Sequence, residues 1–431
     1  MTGEPRLKCP ESAAPEPPAR PPLSAPPAEI GRPQARTSGR AGWHRRAGLL
    51  PVAYLSALVA IGFTHPFLPG WRWLAIHLLL LGAAGNAIVV WSAHFAAAVL
   101  RVPAPAHRRG EAALLALLNI GVAAVLTGGG GDRPWLGVAG AAAVFAAIVW
   151  HLFRLATWAR AALPARFAIT VRYYVSAAAA LLAGIPAGAW MLVVDDAGRP
   201  RLLLFHAHVN LLGWIMLTVL GTVLTLWPTV LRTRMADGAV AAARTALPLT
   251  LAGLALLATG LLTWWTAVTV AGLAVFAAAI VITAVPAVRA ARHRPPESFA
   301  AWSIAAAAGW LLVALGVDAY TVLVSPGAPE AAGRFGDVLT PLLVGSVAQV
   351  LIGALSYLLP MALGGGPAAV RERTALFERH AAQRVAMANA ALLVFLLPVG
   401  AYVRITTSLL LLAALLRFLW PAVRVLLSAR R

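Results

Sequence analysis

The chain has 431 residues, of which 60% are hydrophobic and only 12% charged, and its mean hydropathy is +0.79. A soluble globular protein carries about 25% charged residues, so this composition excludes a water-soluble globule and identifies a polytopic membrane protein. The net charge of +20 does not signal nucleic acid, because the basic residues sit in short loops between apolar runs, where they act as topology signals beside an anionic leaflet.

Residues 1–46 hold ten prolines and eight Lys or Arg with almost nothing large and apolar. Such a segment cannot bury a core and is expected to be a disordered cytoplasmic tail. It contains Cys9, the sole cysteine of the chain, which excludes an intramolecular disulfide or a thiolate-ligated cluster. It offers no apolar core for a cleavable secretory signal, so insertion is expected to rely on the first span.

From residue 47 to 431 the sequence predicts an all-α membrane domain of twelve helices. A helix of about 20 residues crosses the hydrocarbon layer, and apolar runs of suitable length lie at 48–65, 72–99, 111–127, 135–158, 169–193, 202–228, 246–264, 266–287, 301–324, 338–362, 385–402 and 405–426. With the N-terminus inside, 29 Lys and Arg fall on the cytoplasmic side. Six fall outside: Arg72, Arg133, Arg199, Arg201, Arg334 and Arg404. Leaving out the tail, 21 remain inside, as the positive-inside rule requires of a multi-pass protein of the cell membrane with both termini cytoplasmic. No internal repeat is visible in the sequence, although a background rich in alanine and leucine is able to hide one, and no soluble domain is expected.

This topology assigns depths. The second span enters from the outside near Arg72 and the sixth after Arg201, which puts His77, His206 and His208 at one level, about 8 Å inside the outer surface at 1.5 Å per residue. His65, at the outer end of the first span, lies near that level, whereas His94 lies about 25 Å from His77, toward the cytoplasm. Ionisable groups inside a membrane are costly and mark functional sites, and neutral imidazole is a common ligand of heme iron, copper and zinc. Residues i and i+2 of a helix differ by about 200°, so His206 and His208 cannot both ligate one metal from a regular helix. His206 shares its face with Asn210, Gly213 and Leu217, a small and polar surface suited to packing or to a cofactor. His208 shares its face with Leu212, Ile215 and Val219. His206 is the favoured ligand on that ground; the plain alternative for each histidine is a hydrogen bond to water or to a neighbouring helix.

Asp318, in the ninth span, is the only carboxylate well inside a predicted helix. It is a candidate for an ion pair, a proton path, or the acceptor for a ligand histidine. Gln349, Gly353, Ser356 and Pro360 share a face of the tenth span, and Gly82, Gly85 and Asn86 lie near the middle of the second. With Asn389, these are expected to be packing contacts between helices. Arg72, Arg201 and Arg334 are placed to neutralise heme propionates.

The stretch His206-Ala-His-Val-Asn-Leu-Leu-Gly-Trp214, running on through Trp227-Pro228 to Met235, resembles an H-x-H-x-N-x-x-G helix found in twelve-span proteins related to the heme–copper oxidase catalytic subunit and to NnrS-type nitric-oxide-response proteins. It looks most like the actinobacterial copper-oxidase-like membrane modules. The second span, with His77, Gly82, Gly85, Asn86, Trp91 and His94, and the segment Gln349–Pro360 resemble the same group. The resemblance implies that His77 and either His206 or His208 bind heme or copper. It departs from the oxidases in having no histidine in the seventh or tenth span, so a binuclear oxygen- or nitric-oxide-reducing centre is not expected, and at most one heme or one metal is. The implied function is electron transfer to, or maturation of, a multicopper oxidase or nitrite reductase, and whether the chain is itself an enzyme stays open. The rival expectations are a transporter for a small polar or metal solute and a non-catalytic membrane scaffold.

Overall fold

A computed structural model describes residues 33–103, 107–131, 133–162 and 165–428, with side chains from residue 39 onward. The expected tail lies outside the described residues as far as residue 32. From Pro33 onward the chain is helical, so the first helix begins well before the apolar run at 48–65. Among the described residues there is no strand, and the protein is an all-α polytopic membrane bundle. Its long helices are α1 (Pro33–Thr64), α2 (Trp71–Val99), α3 (Arg109–Gly129), α4 (Pro134–Ala161), α5 (Ile169–Val193), α6 (Arg199–Val230), α7 (Ala239–Thr263), α8 (Thr266–His293), α9 (Phe299–Val324), α10 (Ala328–Leu363), α11 (Ala381–Leu396) and α12 (Ala401–Ser428).

Eleven of these are long and apolar enough to cross a bilayer. The exception is α11, whose 16 residues reach about 24 Å at 1.5 Å per residue, short of the ~30 Å hydrocarbon layer. Its predicted span, 385–402, is broken because Pro398 and Gly400 interrupt the helix and the chain turns extended after Leu396. The count of twelve legs nevertheless holds. Gly48 of α1 packs against Leu426 of α12, and Gly62, further along α1, against Leu412, so the first and last helices are antiparallel. An odd number of alternating legs would leave them parallel, so α11 serves as a short return leg.

Three helices form the centre. The spans of α2, α6 and α10 are 61%, 72% and 61% buried, against 33–44% for the other spanning helices. Each contains one π-helical stretch: Leu78–Ala84, Val209–Met216 and Pro341–Ala348. π turns are rare and concentrate at functional or closely packed positions. In each stretch the fifth residue is a glycine whose missing Cβ admits the preceding helix: Gly82 meets Tyr54 of α1, Gly213 meets Ala180 of α5, and Gly345 meets Trp310 of α9. Each central helix is followed by a two-helix hairpin, α3–α4, α7–α8 or α11–α12. The first two hairpins close through matching glycines, with Gly121 against Gly140 and Gly253 against Gly272.

The bundle therefore consists of three four-helix units in a ring, α1–α4, α5–α8 and α9–α12, closed where α12 meets α1. The repetition is one that the sequence, rich in alanine and leucine, did not make visible. Two of the units also share a polar knot. In the first, Tyr54 donates to Asn119 at 2.9 Å and Asn86 exchanges amide hydrogen bonds with Asn119 at 2.8 and 3.2 Å. In the third, Trp310 donates to Asn389, and Gln349 exchanges amide bonds with Asn389 at 2.9 and 3.1 Å. Asn86 and Gln349 both lie four residues past the central glycine. The second unit has Leu217 at that position, fully buried, and Leu254 of α7 beside Gly213.

Candidate cofactor-binding site

A cavity of about 290 Å³ opens where α2 meets α5 and α6, with α3, α4 and α10 completing its wall. Its lining is apolar apart from His77, Arg199, His206 and Asn210. Few polar groups converging in an apolar pocket is the usual form of a ligand site, and the volume lies at the lower end of the ~300–1,000 Å³ range of such sites.

His77 occupies the last α-helical position of α2 before the π stretch. Its Nδ1 lies 2.8 Å from the carbonyl of Trp73 one turn back, and the Trp73 ring sits 4.1 Å away, centre to centre. His206 has its Nδ1 3.0 Å from the carbonyl of Gly184 on α5. A carbonyl only accepts, so both rings carry their proton on Nδ1 and present Nε2 as the basic nitrogen. The ring centres stand 6.5 Å apart with a 27° angle between planes. The two rings, from different helices, are near enough to approach one ligand in the cavity between them.

Space for this pair comes from α5. A Cβ on Gly188 would strike the His206 ring, and one on Gly184 would strike the Asn210 amide. The Asn210 amide nitrogen lies 3.2 and 3.4 Å from the two His206 ring nitrogens, and its Oδ1 is buried with no hydrogen-bond partner. An acceptor left unsatisfied in a ligand cavity is a point of attachment for something that donates.

His208 turns the other way, as the 200° offset requires. It is buried, its Nδ1 lies 2.7 Å from the carbonyl of Leu204, and its Nε2 lies 2.7 Å from the Asp318 carboxylate on α9. Phe335 of α10 covers the ring at 5.0 Å. Both nitrogens face oxygen acceptors, so a proton is shared between Nε2 and Oδ2, and neither nitrogen is free for a metal. Asp318 thus meets a histidine that does not line the cavity.

Of the residues singled out in the sequence, the structure brings His77, His206 and Asn210 together and joins His208 to Asp318 elsewhere. Arg72 and Arg201, expected at the cofactor, do not line the cavity: Arg72 is exposed over Trp71 at 5.4 Å, and Arg201 is exposed and reaches the Leu262 carbonyl at 3.4 Å. Each sits at an outward-facing position of its helix. Arg334 is exposed as well. The arginine that lines the cavity is Arg199, whose Nη1 donates to the carbonyl of Met191 at 2.8 Å. His65 is exposed and bonds its own helix at Gly62. Sequence reasoning also missed Gly184 and Gly188, although their i, i+4 spacing on a predicted helix marks a face left open for a neighbour.

Among the described residues, no group of three or more His, Cys, Asp or Glu gathers to hold a metal. The two-histidine site suits a centre that brings most of its own ligands, as heme does, better than a bare ion needing four. No family model matches the chain, and no curated protein matches it either.

Proposed function

We propose that the protein is a membrane heme- or copper-binding protein in which His77 and His206 hold one metal centre, with heme the better match by ligand count. The observation that supports this most directly is the pair of imidazoles lining one apolar cavity from two helices, each tied by Nδ1 to a carbonyl, with ring centres 6.5 Å apart. A carbonyl behind a ligand histidine fixes its tautomer and raises its basicity. Heme there would supply one-electron chemistry; His77 and His206 would hold it, the walls built by Leu80, Leu81, Ile185, Leu211 and Trp214 would exclude water, and Arg199, which also lines the cavity, would offer a cation to a carboxylate of the group. The role that follows is electron transfer to, or maturation of, a copper-dependent oxidase or nitrite reductase at the outer face of the cell membrane, with both termini cytoplasmic.

A pyridine hemochrome assay combined with metal analysis of the purified protein tests the proposal. The expected outcome is one heme, or one copper, per chain, with the Soret band lost in His77→Ala and in His206→Ala and kept in His208→Ala. A clean preparation with neither heme nor copper sinks it. Solute flux in proteoliposomes from such a preparation favours a transporter instead, and absence of flux favours a scaffold.

A further inference from the structure

The opposite end of the first unit carries a second cavity, of about 220 Å³, between the start of α1, the end of α2, the start of α3 and the end of α4. His94 lines it, as does His44, which the sequence places in the tail. Three guanidinium groups reach it, from Arg40, Arg108 and Arg154, against one carboxylate, Glu111. Glu111 is already bonded to Arg108 at 2.6 Å, which leaves two cations without an anionic partner among the described residues of the wall.

Two of the arginines are held in place. Arg108 lies over Trp43 at 5.5 Å and Arg154 over Trp158 at 5.3 Å. Arg154 also donates through Nη2 to His151 Nδ1 at 3.2 Å, and the far nitrogen of that buried ring donates to Ser92 at 3.0 Å. Two buried polar atoms of the wall have no partner: Arg154 Nε and His44 Nδ1. The His44 side chain is 3% exposed, stacked on Trp91 at 5.3 Å and edge-on to His94 at 4.9 Å. An unsatisfied guanidinium N–H in a cavity with surplus positive charge calls for an acceptor that is negative and presents several oxygens. The 21-residue α3 begins at the cavity, where Arg108 and Glu111 line it, and the positive end of a helix dipole adds to the attraction for an anion.

We propose that this cavity binds a phosphate-bearing group. Arg40 and Arg154 carry its charge, Arg154 Nε and the ring nitrogens of His44 and His94 offer hydrogen bonds, and Glu111 holds Arg108 at the rim. The volume equals roughly seven waters' worth of liquid, enough for one phosphate and its immediate substituent. The site lies at the ends of four spanning helices, the level at which phospholipid headgroups are met, and basic pockets between helices at that level take such headgroups. A phospholipid phosphate and a soluble phosphate present the same oxygens, so the source is read from the test.

Delipidated full-length protein is titrated with phosphatidylglycerol, with phosphatidylcholine and with inorganic phosphate, following bound ligand by native mass spectrometry and the melting temperature in parallel. Saturable binding of one phosphatidylglycerol, with little response to inorganic phosphate, identifies a lipid headgroup; a saturable response to inorganic phosphate identifies a soluble phosphate ligand. In either case affinity falls about tenfold or more in the Arg40→Gln/Arg154→Gln protein, as expected when charge-assisted bonds are lost. Arg40→Gln alone, at an exposed position, gives a smaller loss without disturbing the buried wall, and keeps the test valid if the double variant fails to fold. Binding of neither ligand, or equal affinity in wild type and Arg40→Gln, overturns the proposal. None of these readouts depends on heme or copper.

Discussion

At the scale of single residues, the side chains around the cavity make separable contributions. Gly184→Ala and Gly188→Ala put a methyl group where Asn210 and His206 now sit. Each is expected to cost about 1–3 kcal/mol, the usual range for overpacking, and to lower the occupancy of the proposed site without replacing either histidine; denaturation in detergent and the hemochrome yield measure the two effects. The His208–Asp318 pair responds differently. Removing one member leaves the other buried and unpartnered, so His208→Leu or Asp318→Leu is expected to lose roughly 3–5 kcal/mol, with much of the loss recovered in the double replacement. Equal losses in the singles and an additive double would show that the pair does not interact. The opposed faces of His206 and His208 were legible because helix geometry alone separates i from i+2. The small, polar face of His206 was legible in the same way, whereas the pairing of Asp318 with His208 depended on a contact 110 residues apart in sequence, which no local pattern encodes.

At the scale of elements, the recurring unit is a partner helix, a central helix with a π stretch, and a hairpin. Its glycines are legible after the fact: Gly121, Gly128, Gly137 and Gly140 have the same spacing as Gly253, Gly260, Thr269 and Gly272. A search by overall similarity misses this, because alanine and leucine fill the remaining positions in every helix and raise the background. The matching position is polar in two units and apolar in one, which erased the other signal. The knots predict matched energetics. Asn119→Ala and Asn389→Ala each remove an amide that bonds both a central helix and an aromatic donor, and each is expected to cost about 1–2 kcal/mol by the measure of interhelical hydrogen bonds in membranes. Thermal denaturation of the two variants checks this, and a large difference between them would mean that the two units are not energetically alike. The short α11 is the element that hydropathy misjudged. An apolar run does not report that Pro398 and Gly400 end the helix early, since both are tolerated in an average over a window.

At the scale of the whole molecule, the ring of three units fixes relative directions. Because α1 and α12 are antiparallel, the start of α1 and the end of α12 lie at one face, and the α11–α12 turn lies at the other. In a Cys9→Ser background, Gly39→Cys and Ser428→Cys are expected to react with an impermeant thiol reagent from the same side of a sealed vesicle, and Tyr402→Cys, exposed near the start of α12, from the opposite side. Labelling of Gly39→Cys and Ser428→Cys from different sides would contradict the twelve-leg ring. Composition and basic loops were sufficient to establish the number of legs. How the legs close on themselves was not accessible to them, since closure is written in contacts between glycines and bulky residues at opposite ends of the chain.

The two cavity histidines belong to different units, His77 to the first and His206 to the second. An occupant held by both, as proposed, would act as a clasp across the joint between the two units. Loading such a site would then be a mechanical event as well as a chemical one: with the clasp engaged α2 and α6 would move together, and with it undone the joint would be free to breathe. Backbone amides along Val209–Met216 should exchange with heavy water faster in the unloaded protein, while those of Pro341–Ala348, across the ring, keep their rate.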